Sequence, residues 1–322
     1  MQTVDHTAQV LAHFLETPCS EIRKTEGGHI NDTYYVVSDA AYICQRLSPS
    51  LFAGKSGILE HNYQNLCLAY ESVEDSVPDW IIPRWLPCRE GGFFYRDEED
   101  GLWRVYHYID GETATCILEK SQAFCLGEGL ARFHLILSAF PDPPVSAIPH
   151  YLDLSWYLTQ YAKASEGNPT IDSRLDYLIR KKAAAYTSLE LPVTQAIHGD
   201  AKLSNAVFSK GGSIISFIDT DTLMPGNPLT DLAECIRSCC IIDDHWNMEL
   251  WQQIIEGYQS VHGPLSNEDL SLLPRVVQKS CFSLGVRYYT DVLSNNEYFK
   301  ETHPGQNLEK AVRYLALLEE LQ

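Results

Sequence analysis

The chain has 322 residues, 45% of them hydrophobic and 21% charged, and a formal net charge of −19. That length is enough for a substantial core and two lobes or domains. The acidic balance counts against nucleic acid or an anionic membrane surface as partner, since both are held by Lys and Arg.

The opening stretch, "MQTVDHTAQVLAHFLETP", has no basic n-region and no long apolar run, so no signal peptide is expected. No later stretch reaches the roughly 18 apolar residues of a membrane span. Residues 1–110 read as a small, mostly β-rich lobe. "TYYVVSDAAYICQRL" is two strand-like runs around a polar turn. "KSGILEHNYQNLCLAYESV" carries apolar residues at helical spacing, Ile58, Leu66 and Ala69 among them. "GGFFYRDEEDGLWRVYHYIDGE" reads as strand, acidic turn, strand, broken at Asp110-Gly111.

From 111 to 322 the character is helical. "ILEKSQAFCLGEGLARFHLILSAF" predicts a long helix stopped by Pro141, Pro143 and Pro144. Further helices are expected at about 150–164 and 172–188. Residues 196–226 then interrupt with short strands, and helix resumes to the end. The ten cysteines contain no CxxC pair, which suits free thiols in a reducing, cytoplasmic setting. Cys235, Cys239 and Cys240 fall on an apolar helix, where Cys acts as a small hydrophobe rather than a metal ligand.

The interrupting segment, "AIHGDAKLSNAVFSKGGSIISFIDTDTLMPG", sets polar residues at the ends of apolar strands. A strand ends at His198, Gly199 lets the chain turn, and Asp200 sits on a loop. A hairpin from Asn205 back to Asp219 brings both near that loop. A carboxylate and an amide oxygen are hard ligands suited to Mg²⁺. A third carboxylate held off the metal can take a proton from a hydroxyl. That set meets the needs of phosphoryl transfer.

"HGDAKLSN" followed by "FIDTD" resembles the aminoglycoside phosphotransferase and choline kinase superfamily, small-molecule relatives of protein kinases. The resemblance implies an α+β, protein-kinase-like bilobal fold: a nucleotide-binding N-lobe, a cleft, and a helical C-lobe carrying catalysis and the acceptor. It implies ATP and Mg²⁺, with Asp200 as catalytic base and Asn205 and Asp219 as metal ligands. His198 would brace the loop. Asp221 is left open between assisting the metal and a structural role. In the N-lobe it implies that Gly27 and Gly28 cover the phosphates and that Arg46 binds them from the strand "YICQRL". Glu60 is then its helix partner or an ordinary surface acid. "RVYHYI", with Tyr106 and His107, is the expected hinge against adenine.

Three further segments, "GGHINDTY", "IDTDTLMPG" and "VRYYTDVLSNNEYF", are similar to the N-acetylhexosamine 1-kinases. That likeness implies a small-molecule sugar acceptor contacted by His29, Arg287 and Tyr298. The residues themselves agree in sign. A choline or aminoglycoside pocket must hold a cation, which Arg and His would repel, whereas a neutral sugar accepts their hydrogen bonds. Other readings stay open: Arg287 salt-bridged to Asp291 along a helix, Tyr298 as plain packing, and a choline, homoserine, methylthioribose or aminoglycoside acceptor. A nucleotide-binding regulator without catalysis is the rival of another class.

Overall fold

The computed structural model describes residues 2–25, 31–117 and 119–321. Helix α1 (Gln2–Leu11) leads into β1 (Glu21–Lys24), β2 (Asp32–Val37) and β3 (Ala41–Leu47). A single turn, α2 (Pro49–Phe52), and the longer α3 (Ser56–Val73) precede β4 (Tyr95–Arg96) and β5 (Leu102–His107). The strands form one antiparallel sheet in the order β1-β2-β3-β5-β4.

Side chains alternate across a strand, and both faces of this sheet are covered. Tyr34, Val36, Tyr42, Cys44, Trp103 and Val105 pack on one face against Val10 and Leu11 of α1. Leu47, Leu102 and Tyr106 point the other way, into a core shared with Leu59 and Leu66 of α3 and with the C-lobe. The sequence reading does not foresee α1. An apolar sheet face must be buried against another layer, and α1 supplies it. Gln45 stands opposite Arg104, and Arg46 opposite Trp103, so each pair shares a face.

After His107 the chain crosses to β6 (Glu112–Thr113) and α4 (Lys120–Ser138), which starts in a capping box of Glu119 and Gln122 and stops before Pro141. Asp153 and Asp172 cap α5 (Leu154–Ser165) and α6 (Ser173–Thr187) by accepting backbone N–H bonds. The polar interruption folds as β7 (Gln195–Ile197), β8 (Ala206–Phe208), β9 (Ile214–Phe217) and β10 (Met224–Gly226). β7 pairs with β10, while β8 lies between β6 and β9. Then come α7 (Pro228–Cys239), the hairpin β11 (Ile241–Ile242) and β12 (His245–Trp246), α8 (Met248–His262), α9 (Asn267–Leu293) and α10 (Gln306–Ala316). Cys235, Cys239 and Cys240 are buried free thiols at α7. Among the described residues no helix is long and apolar enough to cross a membrane.

Helix α4 is the spine of the C-lobe, and it lies against α8 with almost no gap. A Cβ on Gly127 would overlap the Ile254 carbonyl oxygen, and one on Gly257 would overlap that of Phe124. Two backbones in contact cannot yield as a side chain does. Gly257→Ala should therefore cost about 1–3 kcal/mol of stability or more, read as a fall of several degrees in Tm. Gly57→Ala, where a Cβ meets nothing within 4 Å, should leave Tm unchanged or slightly raised. Equal melting of the two variants would contradict the packing.

Candidate active site

The loop after β7 is fixed from below. Asp231, fully buried in the first turn of α7, accepts the His198 N–H at 2.6 Å on Oδ2 and the Gly199 N–H at 2.8 Å on Oδ1. His134 Nε2 of α4 adds a third donor at 3.1 Å. Gly199 has φ +80°, and a Cβ there would meet the Thr222 carbonyl oxygen at 2.7 Å, so glycine is required twice over. His198 uses both ring nitrogens. Nε2 donates to the Ile218 carbonyl at 3.0 Å, and Nδ1 accepts the Asp200 N–H at 3.2 Å. One neutral tautomer thus ties the Asp200 loop to the end of β9.

Asp200 emerges from this brace with its side chain 18% exposed. Lys202 Nζ donates to its Oδ2 at 2.5 Å, and Asn205 Nδ2 donates to the same oxygen at 3.2 Å. Among the described residues Oδ1 has no donor. Burial would lower the Lys202 amine, but Asp200 and Asp219 outweigh it and the amine is raised. Lys202 is therefore a fixed cation between two carboxylates. The sequence reading passes over it, although it lies within the HGDAKLSN motif.

Asp219 follows β9 in the left-handed region, φ 64° and ψ 45°, which Asp tolerates better than most residues. Burial and then the charges of Asp221 and Asp200 raise its carboxyl, against Lys202 and Arg104. No described residue donates a hydrogen bond to it. The Asn205 amide nitrogen is committed to Asp200, and its Oδ1 has no described donor. One undersupplied carboxylate beside one free amide oxygen fits a hard cation such as Mg²⁺. Among the described residues no three His, Cys, Asp or Glu side chains converge as a metal cage. An ion held here would draw its other ligands from water and phosphate. Asp221 is not part of that pair. It forms a two-bond ion pair with Arg104, at 2.5 and 2.8 Å.

The N-lobe differs more from expectation. Gly27, Gly28 and His29 lie outside the described residues. Arg46 shares the sheet face of Trp103, with its guanidinium 3.2 Å from Glu99 and 3.7 Å from Asp97. The β3 side chain facing the Asp219 side is Gln45, which holds Arg104. Nor is Glu60 paired with Arg46, since its carboxylate accepts the Phe93 N–H at 2.9 Å. Tyr106 is buried on the face of Arg104, and nearby Asp219 and Asp221 add to the burial that raises its phenol. At the hinge the His107 and Tyr108 N–H groups already bond the carbonyls of Arg84 and Ala41, both at 3.0 Å.

A cavity of about 520 Å³ opens beside the Asp200 loop, with Tyr151, Tyr157, Arg287, Tyr298 and Phe299 in its wall. Tyr151 joins it to the loop: a Cβ on Gly199 would sit 3.3 Å from its ring, and Asp200 adds to the burial that raises its phenol. The Arg287 guanidinium lies 5.0 Å from the Tyr157 ring, 5.3 Å from Phe299 and 5.7 Å from Tyr298. It does not pair with Asp291, whose carboxylate takes the N–H groups of Tyr298 and Phe299 at 2.7 and 2.9 Å. Among the described residues no carboxylate pairs with Arg287. Arg287 and Tyr298 are thus brought together, with a 3.4 Å contact between Nη2 and the phenol oxygen.

The solved structures it resembles share this architecture. An amicoumacin kinase in complex with AMP-PNP, Ca²⁺ and Ami superposes with a TM-score of 0.68 over 99% of this chain and 93% of its own, at 14% identity. A microcompartment-associated aminopropanol kinase gives 0.68 over 99% of both chains at 17% identity. A spectinomycin phosphotransferase with ADP and spectinomycin gives 0.66 at 15%, covering 98% and 96%. These likenesses establish the kinase-like fold, a β-sheet N-lobe on a helical C-lobe. In sequence, the homoserine kinase of Hyphomonas neptunium is 27% identical over 227 residues, which is 65% of this chain and 66% of that protein's length. The model of the phosphotransferase enzyme family matches residues 21–264, and the chain belongs to that family.

Proposed function

We propose that this chain is an ATP- and Mg²⁺-dependent small-molecule kinase whose acceptor is the anomeric hydroxyl of an N-acetylhexosamine or related sugar. The observation that carries the acceptor class is Arg287, a cation walled by aromatic rings and without a carboxylate partner among the described residues. The rings alone would welcome a cation, but the Arg287 charge among them opposes choline or an aminoglycoside. The wall suits a neutral ring whose hydroxyls and amide accept hydrogen bonds while its C–H face lies on the aromatics.

Asp200 Oδ1, the oxygen without a donor, orients the acceptor hydroxyl and takes its proton as the P–O bond forms. An anomeric hydroxyl is more acidic than an ordinary alcohol, so a carboxylate suffices as base. Lys202 offsets charge gathering on the transferred group. Asn205 and Asp219 would hold Mg²⁺, which would supply charge neutralisation to the phosphates. Gly27 and Gly28 cover the phosphates, and His29 meets the sugar with Arg287 and Tyr298. Arg46, on the far face of β3, has no part in this reading.

A second reading has its own support. The same free cation would pair with the carboxylate of an amino-acid acceptor, and homoserine kinase is a sequence relative. A phosphorylation panel of N-acetylhexosamines, other hexoses, homoserine, choline and aminoglycosides, followed by ³¹P NMR, decides between them. An anomeric phosphate is expected; O-phosphohomoserine would replace the sugar with the amino acid.

Mutants divide the roles. Asp200→Asn should cut kcat by roughly 10²–10⁴-fold and leave Mg²⁺–ATP binding intact by calorimetry. Asp219→Ala should weaken that binding as well. Similar mild losses from both would contradict the assignment. Arg287→Ala should raise the acceptor KM about tenfold or more with little change in the ATP KM; a shift in the ATP KM alone would place Arg287 elsewhere.

A further inference from the structure

Arg104 is the most completely engaged charge near the cleft. It belongs to β5 of the N-lobe, yet its partner Asp221 belongs to the C-lobe loop that carries Asp219. Both side chains are 3% exposed. Nη1 and Nη2 donate to the two Asp221 oxygens at 2.5 and 2.8 Å, while Nε and Nη2 donate to Gln45 Oε1 at 3.0 and 2.7 Å. The guanidinium also lies 4.7 Å from the Trp85 ring. Two strands of the N-lobe are therefore bolted to one point of the C-lobe. The other end of that loop is fixed too: the Ile218 N–H donates to the Asn205 carbonyl at 2.9 Å, and the Ile218 carbonyl accepts from His198. Asp219 sits between these anchors in a left-handed conformation that nothing in its own side-chain contacts maintains.

We propose that Arg104 is a positioning residue: through Asp221 and Gln45 it fixes Asp219 and the spacing between the N-lobe sheet and the metal loop. This rests on the kinase reading above. A buried ion pair is poor evidence of a stabilising role, because apolar replacements of similar volume are often neutral or better. A pair kept at this joint acts through geometry. Arginine serves because its planar fork meets a carboxylate and an amide at once, which lysine cannot do.

The test is calorimetry of ATP binding with and without Mg²⁺, beside melting and steady-state kinetics. In the wild type Mg²⁺ should tighten ATP binding; if the wild type shows no Mg²⁺-dependent nucleotide binding, the kinase reading and this inference fall together. The double variant Arg104→Met with Asp221→Leu should melt within a few degrees of wild type. It should nevertheless lose most of the Mg²⁺ effect on ATP affinity, and need about tenfold more Mg²⁺ for half-maximal rate, at an unchanged acceptor KM. A folded double variant with wild-type Mg²⁺ coupling would overturn the inference alone. Arg104→Lys, which keeps the charge but not the fork, gives the second arm. It should show the same Mg²⁺ loss in smaller degree, and full retention of coupling there would also overturn the inference.

Discussion

The site depends on one carboxylate that never meets a substrate. Asp231 accepts two successive backbone N–H groups, from His198 and Gly199, and the His134 ring besides. Hydrogen bonds to a charged acceptor contribute about 1.5–3 kcal/mol each, and a buried donor left unpaired costs about as much. The loop therefore has one shape. Asp231 stands in the first turn of α7, where the helix dipole favours an anion. His134 comes from α4, the helix locked against α8 through Gly127 and Gly257. Rigid helix packing is thereby converted into the position of the Asp200 loop.

From that foundation the constraints run upward in sequence. His198 carries the position of the Asp200 loop to the end of β9 through the Ile218 carbonyl. Asn205 accepts from Ile218 on its backbone and donates to Asp200 with its side chain. Asp219 inherits its place from both, and Arg104 closes the frame from the other lobe. Each polar group that faces the cleft is backed by another that does not, and reacting geometry is held only as well as its supports are.

The C-lobe half of this was legible in the sequence because chemistry restricts the residue types. A strand ending in His-Gly-Asp, an Asn at the next strand, and an Ile-Asp-x-Asp strand end have few other uses. The N-lobe half was less legible because its sheet is buried on both faces. Period-2 alternation then gives no polar side to read, and a shift of one residue moves a side chain across the sheet. Choosing Arg46 for its charge placed the cation on the α1 face, whereas Gln45 is the side chain turned toward Arg104 and the Asp219 loop. A signal was available in "LWRVY", where Arg104 stands inside an apolar strand. A charge so placed must have a buried partner, and Asp221 was the acid without a settled task. Lys202 and Tyr151 carried no comparable signal, since a loop lysine and a tyrosine after Pro-His read as surface and packing.

The acidity of the chain bears on the nucleotide proposed for this cleft. A net charge of −19 opposes a triphosphate at long range, but screening confines that field to about 8 Å at physiological salt. Within that distance the local cations decide. Arg104 is taken up by Asp221, Arg237 pairs with Glu234, and Lys202 pairs with Asp200, with the charge of Asp219 also favouring its protonated form. Arg287 alone among these has no acid beside it, although Asp291 sits one helical turn away and is turned instead to the backbone of Tyr298 and Phe299. Diverting that carboxylate leaves the guanidinium donors facing aromatic rings and an open cavity. Burial disfavours a charge so sparsely supplied with polar partners, here the Tyr298 phenol alone among the described residues, and the proposed acceptor answers that by bringing oxygen acceptors to Arg287 while placing a hydroxyl at Asp200.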